Sequence, residues 1–101
     1  MMRIRLAPQA RADLDAIWLF FARESGSDVL ATRIVESVAD KFGLFAKFPY
    51  IGKELDSDRC PGLRTFPINN YIIFYRIKAG EIRILRIIHS KRDARAVFSE
   101  E

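Results

Sequence analysis

The hydrophobic period changes once along this chain, near residue 62, and that single change limits the possible folds more than any other feature. Before it, Leu14, Ile17, Trp18 and Phe21 fall at i, i+3, i+4 and i+7, the stripe of an amphipathic helix. Leu30, Ile34, Val38, Phe42 and Phe45 repeat the pattern in a second helix that must stop before Pro49. After it, 63–68, 71–77 and 82–89 are dense in Ile, Phe, Tyr and Leu and read as three strands. Asn69-Asn70 and Lys78-Ala79-Gly80-Glu81 supply the turns between them.

The remaining segments fit around this frame. Residues 2–7 alternate apolar and basic side chains, as a short strand does. Pro8 suits the first turn of a helix running to about Glu24, with Asp13 and Asp15 early enough in it to favour the helix dipole. Ser25-Gly26-Ser27-Asp28 breaks the two helices into an antiparallel hairpin, with Ser27 or Asp28 as the second N-cap. Residues 49–62 are rich in turn formers and charge and read as a loop, and 92–101 as a short terminal helix. The expected order is β-α-α-β-β-β-(α): an α+β domain over residues 1–101, a helical hairpin on one face of a mostly antiparallel three-stranded meander joined by the N-terminal strand. Trp18, Phe20, Phe21, Phe42, Phe45 and Phe48 are expected in the hairpin core.

The strands carry a further constraint. Strict alternation puts Tyr71, Ile73, Tyr75 and Ile77 on one face of their strand and Ile72, Phe74 and Arg76 on the other. In the last strand it groups Ile82, Ile84, Arg86 and Ile88 against Arg83, Leu85, Ile87 and His89. Both faces are largely apolar, as in a sheet covered twice, yet two helices cover one face and the short terminal segment at most part of the other. An exposed apolar patch is therefore expected on the sheet, to be buried by a partner or by a second copy of the chain.

A chain of 101 residues with half its residues hydrophobic makes one domain and excludes disorder over most of its length. Cys60 is the single cysteine, which leaves no internal disulfide and no cysteine-built metal site, and fits a reducing compartment. No apolar run is long enough for a signal peptide or a membrane span, so a cytoplasmic location is expected. No cofactor or metal is expected. The net charge of +4 is uneven: residues 1–58 carry −1 and residues 59–101 carry +5. A basic second half attracts acidic protein segments or nucleic acid.

Three segments together carry a family resemblance. They are Leu6-Ala7-Pro8-Gln9-Ala10 with Asp13-Leu14 and Ile17-Trp18; Pro61-Gly62-Leu63-Arg64-x-Phe66-Pro67 followed by Tyr71–Arg76; and Ile84–Ser90 followed by Arg92-Asp93. In this order, over nearly the whole chain, they resemble the ParE branch of the RelE/ParE toxins of bacterial type II toxin–antitoxin, plasmid-stabilisation-type systems. The resemblance implies the α+β order derived above and a ParD-like antitoxin with a ribbon-helix-helix N-terminus, whose C-terminal segment wraps and neutralises the toxin. It also implies DNA gyrase as the target, without catalysis by the toxin itself. Direct nucleic-acid binding is not expected outside a complex.

RelE-like relatives cut messenger RNA on the ribosome, and that chemistry is the alternative. In-line attack by a 2′-hydroxyl needs an acid, a base and cations around the developing charge. Where the RelE pattern has lysines before the Leu-Arg step this chain has Cys60 and Gly62. Where that pattern has an arginine after the tyrosine it has Ile72, and Phe98 stands in place of a terminal tyrosine; only Arg92 matches. If the chain is a ribonuclease, Arg92, His89 and Arg64 are its candidates; another endonuclease branch relies on a glutamate, an arginine and a histidine, for which Glu54 as base, Arg76 or Arg64, and His89 are the candidates. A third reading is a toxin that has lost activity and serves only as an antitoxin partner. The residues expected to bind antitoxin or target are Arg64, Arg76, Arg86, His89, Arg92 and Phe98, with Arg83 beside them on the strands.

Overall fold

The computed structural model describes residues 1–55 and 61–91. Cys60, Arg92, Phe98 and the expected terminal helix lie outside the described residues.

β1 (Arg3–Leu6) leads through Ala7 into α1 (Pro8–Ser25). Pro8 occupies the first turn, where its missing N–H leaves nothing unpaired. No acidic residue stands in that first turn. Asp13 and Asp15 lie beyond the reach of the helix-end field, and Asp13 has another task, described below. Gly26 closes α1 at φ 69°, a conformation that suits glycine, and donates its N–H to Ala22 O. Ser27 then caps α2 (Asp28–Lys47), its Oγ accepting from Leu30 N at 3.2 Å. The indole N–H of Trp18 donates to Thr32 Oγ1 at 3.0 Å and ties the two helices together.

The strands that follow are β2 (Lys53–Glu54), β3 (Arg64–Ile68), β4 (Tyr71–Lys78) and β5 (Glu81–His89). They form one sheet in the order β1-β5-β4-β3-β2, antiparallel throughout except that β1 runs parallel to β5. β2 lies inside the stretch expected to be loop; two residues are too few to show a period. Pro67, which has no N–H to donate, sits in β3 beyond the two residues β2 pairs, so that free edge is a poor template for another strand.

A bulge corrects the facing of β5. Phe74 pairs with Arg86 but Tyr75 pairs with Ile84, so Leu85 is an extra residue and the alternation flips past it. Ile82, Ile84 and Ile87 all face the helices, where they pack with Ile73, Tyr75, Val38, Phe42 and Phe45. Ile88 turns to the outer face, against Leu63, Phe74, Ile72 and Leu85. The ring of Tyr75 stacks on Phe45 at 4.2 Å and 13° at the centre of the core.

The apolar exposure is not where the sequence places it. Leu63, Phe74 and Ile88 on the outer face are buried to 1–3% exposure. The open apolar surface lies on the helices and the following loop: Leu19, Phe20, Val29 and Leu30 near the closed end of the hairpin, and Phe48, Tyr50, Ile51 and Leu55 after α2. Phe20 and Phe48 are therefore surface residues rather than core; helical periodicity places Ile17 and Phe21, and Phe42 and Phe45, on the buried stripes instead. Among the described residues, no helix is long and apolar enough to cross a membrane.

Candidate functional site

The four site candidates among the described residues, Arg64, Arg76, Arg86 and His89, do not all meet in one place. Arg64 and Tyr75 lie side by side on the helix-facing side of the sheet, at the end nearer the loop after α2. The Tyr75 hydroxyl accepts from Gly52 N at 2.8 Å and donates to Pro49 O at 2.9 Å. Arg64 Nη1 donates to Gly52 O at 2.7 Å, and its guanidinium lies 4.9 Å from the centre of the Tyr50 ring. Burial raises the Tyr75 pKa above the ordinary phenol value, against the smaller opposing pull of the Gly52 N–H and the Arg64 charge. A Cβ on Gly52 would stand 2.5 Å from the Tyr75 hydroxyl, so the close approach requires glycine. These contacts clamp a loop that presents Tyr50 and Ile51 to solvent.

His89 lies at the far end of β5. Its ring meets Tyr71 edge-to-face at 5.3 Å, and its Nδ1 accepts from Lys91 N at 3.2 Å. The register that pairs Tyr71 with His89 and Tyr75 with Arg64 puts Arg64 and His89 two strand spacings apart across the sheet and four residues apart along it. That is a backbone separation of roughly 16 Å, from about 4.8 Å per strand and about 3.3 Å per residue. Glu54 pairs with Arg64 at 3.8 Å on the outermost strand, one strand farther still from His89. An acid and a base must both reach one phosphodiester. Arg64, Glu54 and His89 do not assemble into such a site.

Arg86 and His89 do share a neighbourhood. An open cleft of about 540 Å³ lies between α1 and the ends of β4 and β5, with Asp13, Phe20, Phe21, Tyr71, Ile87 and His89 in its wall. At its base Arg86 makes a bidentate pair with Asp13, Nε to Oδ2 at 2.8 Å and Nη2 to Oδ1 at 3.1 Å. Oδ2 also accepts the backbone N–H of Ile87 at 2.9 Å. β1 ends at Leu6, so β5 has no strand neighbour on that side beyond Ile84, and the Asp13 carboxylate takes the place of one. The bulge re-aims Arg86 towards α1 and makes this contact possible. Burial also raises the Tyr71 pKa.

Arg76, the fourth described candidate, points to the outer face with Ile72 and Phe74. Its Nη2 reaches Pro61 O at 3.5 Å, and its Nε is buried without a hydrogen-bond partner. Asp13, Gly52, Tyr71 and Tyr75 were not among the candidates. Asp13 falls within the segment that carries the family resemblance, but its partner is 73 residues away, and nothing local signals the pair.

A two-helix hairpin packed on one side of a five-stranded sheet, with β1 parallel to β5, defines the class, and solved structures share it. One is the chromosomal ParDE toxin–antitoxin system of P. aeruginosa, with a TM-score of 0.75 and 28% identity, covering 88% of this chain and 96% of that one. Another is the RelBE2 toxin–antitoxin complex of Mycobacterium tuberculosis, with a TM-score of 0.66 and 25% identity over 87% and 96%. The family model of the ParE toxin of the type II parDE toxin–antitoxin system matches residues 4–94, and the chain belongs to this family. Two Caulobacter vibrioides relatives agree over nearly their full length. Toxin ParE3 is 32% identical, covering 97% of this chain and 95% of the relative; toxin ParE1 is 30% identical, covering 95% and 97%.

Proposed function

We propose that this chain is a single-domain, cytoplasmic ParE toxin that arrests growth by acting on DNA gyrase without catalysis of its own, and that a cognate ParD-like antitoxin neutralises it. The observation that carries the non-catalytic half is the separation of Arg64 and Glu54 from His89, each held in contacts of its own at a different end of the sheet. What supports the partner is the open apolar surface of Leu19, Phe20, Val29 and Leu30, between 43% and 62% exposed, on a chain whose structural relatives were solved as toxin–antitoxin systems.

One set of experiments tests both halves. Purified toxin is added to a gyrase supercoiling assay with and without the product of the neighbouring reading frame. The expected result is inhibition by the toxin and release by the antitoxin. Primer extension on messenger RNA after induction should show no cuts. Codon-specific cuts that vanish in His89→Ala would replace this reading with the ribonuclease one. Induction without growth arrest would identify an inactive toxin. Phe20→Ser with Leu30→Ser should weaken the antitoxin complex by far more than it destabilises the toxin alone, whose melting temperature falls only by the lost Phe20–Phe21 contact and the poorer helix propensity of serine.

A further inference from the structure

The outer face of the sheet carries an arrangement that this reading does not use. Register places six side chains there in two rows across β1, β5 and β4: Arg3, Glu81 and Lys78 in one row, Arg5, Arg83 and Arg76 in the next. Five are cations and one is a carboxylate. Neighbouring strands are about 4.8 Å apart and alternate residues about 6.7 Å apart, so the grid measures roughly 10 by 7 Å.

The internal pairing of this grid is incomplete. Glu81 divides its two oxygens, Oε1 accepting from Arg83 Nε and Nη2 at 3.3 and 3.2 Å and Oε2 lying 3.6 Å from Arg5 Nε. Arg76 and Arg83 are direct cross-strand partners of like charge, an arrangement that works against the sheet. Among the described residues Arg76 has only the 3.5 Å contact to Pro61 O, and its Nε has no acceptor. A buried guanidinium N–H without a partner asks for an explanation, and a row of three arginines of which two share one carboxylate and the third has none asks for the same one. Both are met when an anion with several oxygens lies along the row. A turn of the Arg76 side chain presents two parallel N–H groups to it, the bidentate geometry that arginine forms with phosphate.

We propose that this grid binds the phosphodiester backbone of a nucleic acid, without regard to base sequence. Acidic protein is the rival polyanion, but the core of a protein interface is depleted of charge and built on apolar side chains. The six grid positions hold none. Nucleic-acid affinity, by contrast, is built from phosphate neutralisation. The site lies on the face of the sheet away from the helices and does not depend on the gyrase reading or on the hairpin surface.

The test is fluorescence anisotropy of the full chain with a labelled DNA duplex of random sequence and, in a parallel arm, labelled polyglutamate. Engagement of about four phosphates predicts a loss of affinity of about 100-fold between about 50 and 200 mM salt. The triple variant Arg5→Gln, Arg76→Gln, Arg83→Gln should weaken DNA binding at low salt at least about 10-fold and lower the salt slope by about 3, one for each phosphate no longer neutralised. The charge-matched control Arg11→Gln, Arg23→Gln, Arg33→Gln, on the exposed helix surface, should leave the slope unchanged. The single variant Arg83→Gln, which relieves the like-charge pair and so keeps the fold, should lower the slope by about 1. No binding to DNA, equal weakening in the grid and control variants, or tighter binding of polyglutamate than of DNA would each overturn the proposal.

Discussion

Removing the Asp13 carboxylate tests the account of how α1 is joined to β5. In Asp13→Ala, Arg86 loses both bonds of its bidentate pair and the Ile87 N–H loses its acceptor. Both side chains are only 12–14% exposed, so water substitutes poorly for those bonds. Breaking a buried ion pair costs about 3–5 kcal/mol and orphaning a buried N–H about 1–3 kcal/mol; Oδ2 serves in both, so the two do not add. Residual exposure lowers the total to about 3 kcal/mol. For a domain of this size that is a fall in melting temperature of at least about 10 °C. Arg86→Ala should cost less, because Asp13 keeps the Ile87 N–H. The double variant Asp13→Leu with Arg86→Met, which removes both charges and fills the space, should recover the part of the loss that comes from the stranded Arg86 charge but not the part that comes from the Ile87 N–H, which still lacks its acceptor. Urea unfolding followed by circular dichroism on the parent, the two alanine variants and the Asp13→Ala, Arg86→Ala double variant gives the coupling energy directly. If both single variants lie within about 0.5 kcal/mol of the parent and their effects simply add, the pair does not hold the helix to the sheet.

Three further outcomes follow from the same structure. Gly52→Ala should cost about 2 kcal/mol by driving a methyl group into the buried Tyr75 ring, and Tyr75→Phe about 1–3 kcal/mol by leaving the Gly52 N–H without an acceptor, both read by thermal melting. Ala79 holds φ 53° beside Gly80 at φ 75°, so Ala79→Asn, which suits that two-residue turn, should raise stability by about 0.5 kcal/mol. Tyr71 and Tyr75 titrate higher in the folded chain than unfolded, so the folded state holds their protons more tightly. Their contribution to stability is then fully present below about pH 10, the unfolded phenol value, and is lost as pH rises towards the folded values. The alkaline fall should weaken in Tyr71→Phe.

Much of the frame is written in the sequence because each helix has one apolar stripe and each turn its own chemistry. Ser27, Gly26 and Gly80 stand where local rules ask for them. The facing of β5 is not written there. The run from Ile82 to His89 is apolar on both sides of the pleat, so either register buries the same kind of side chain and the pattern does not reveal the extra residue at Leu85. The cleft between α1 and β5 follows from that bulge, and so does the engagement of Arg86 with Asp13. Arg76 and Arg83 were visible as strand arginines, but only the parallel docking of β1 sets Arg5 in the same row.

That docking also sets a schedule. Residues 3–6 are made before residues 81–84, with which they pair as strands. At about 5–20 residues per second the intervening chain takes roughly 4–16 s to make. Through that interval the helical hairpin has no finished sheet to lie on, and the Arg5–Arg83–Arg76 row does not yet exist. A nascent chain that has not yet made residues 81–84 therefore cannot close this sheet, which is complete only when β1 and β5 meet.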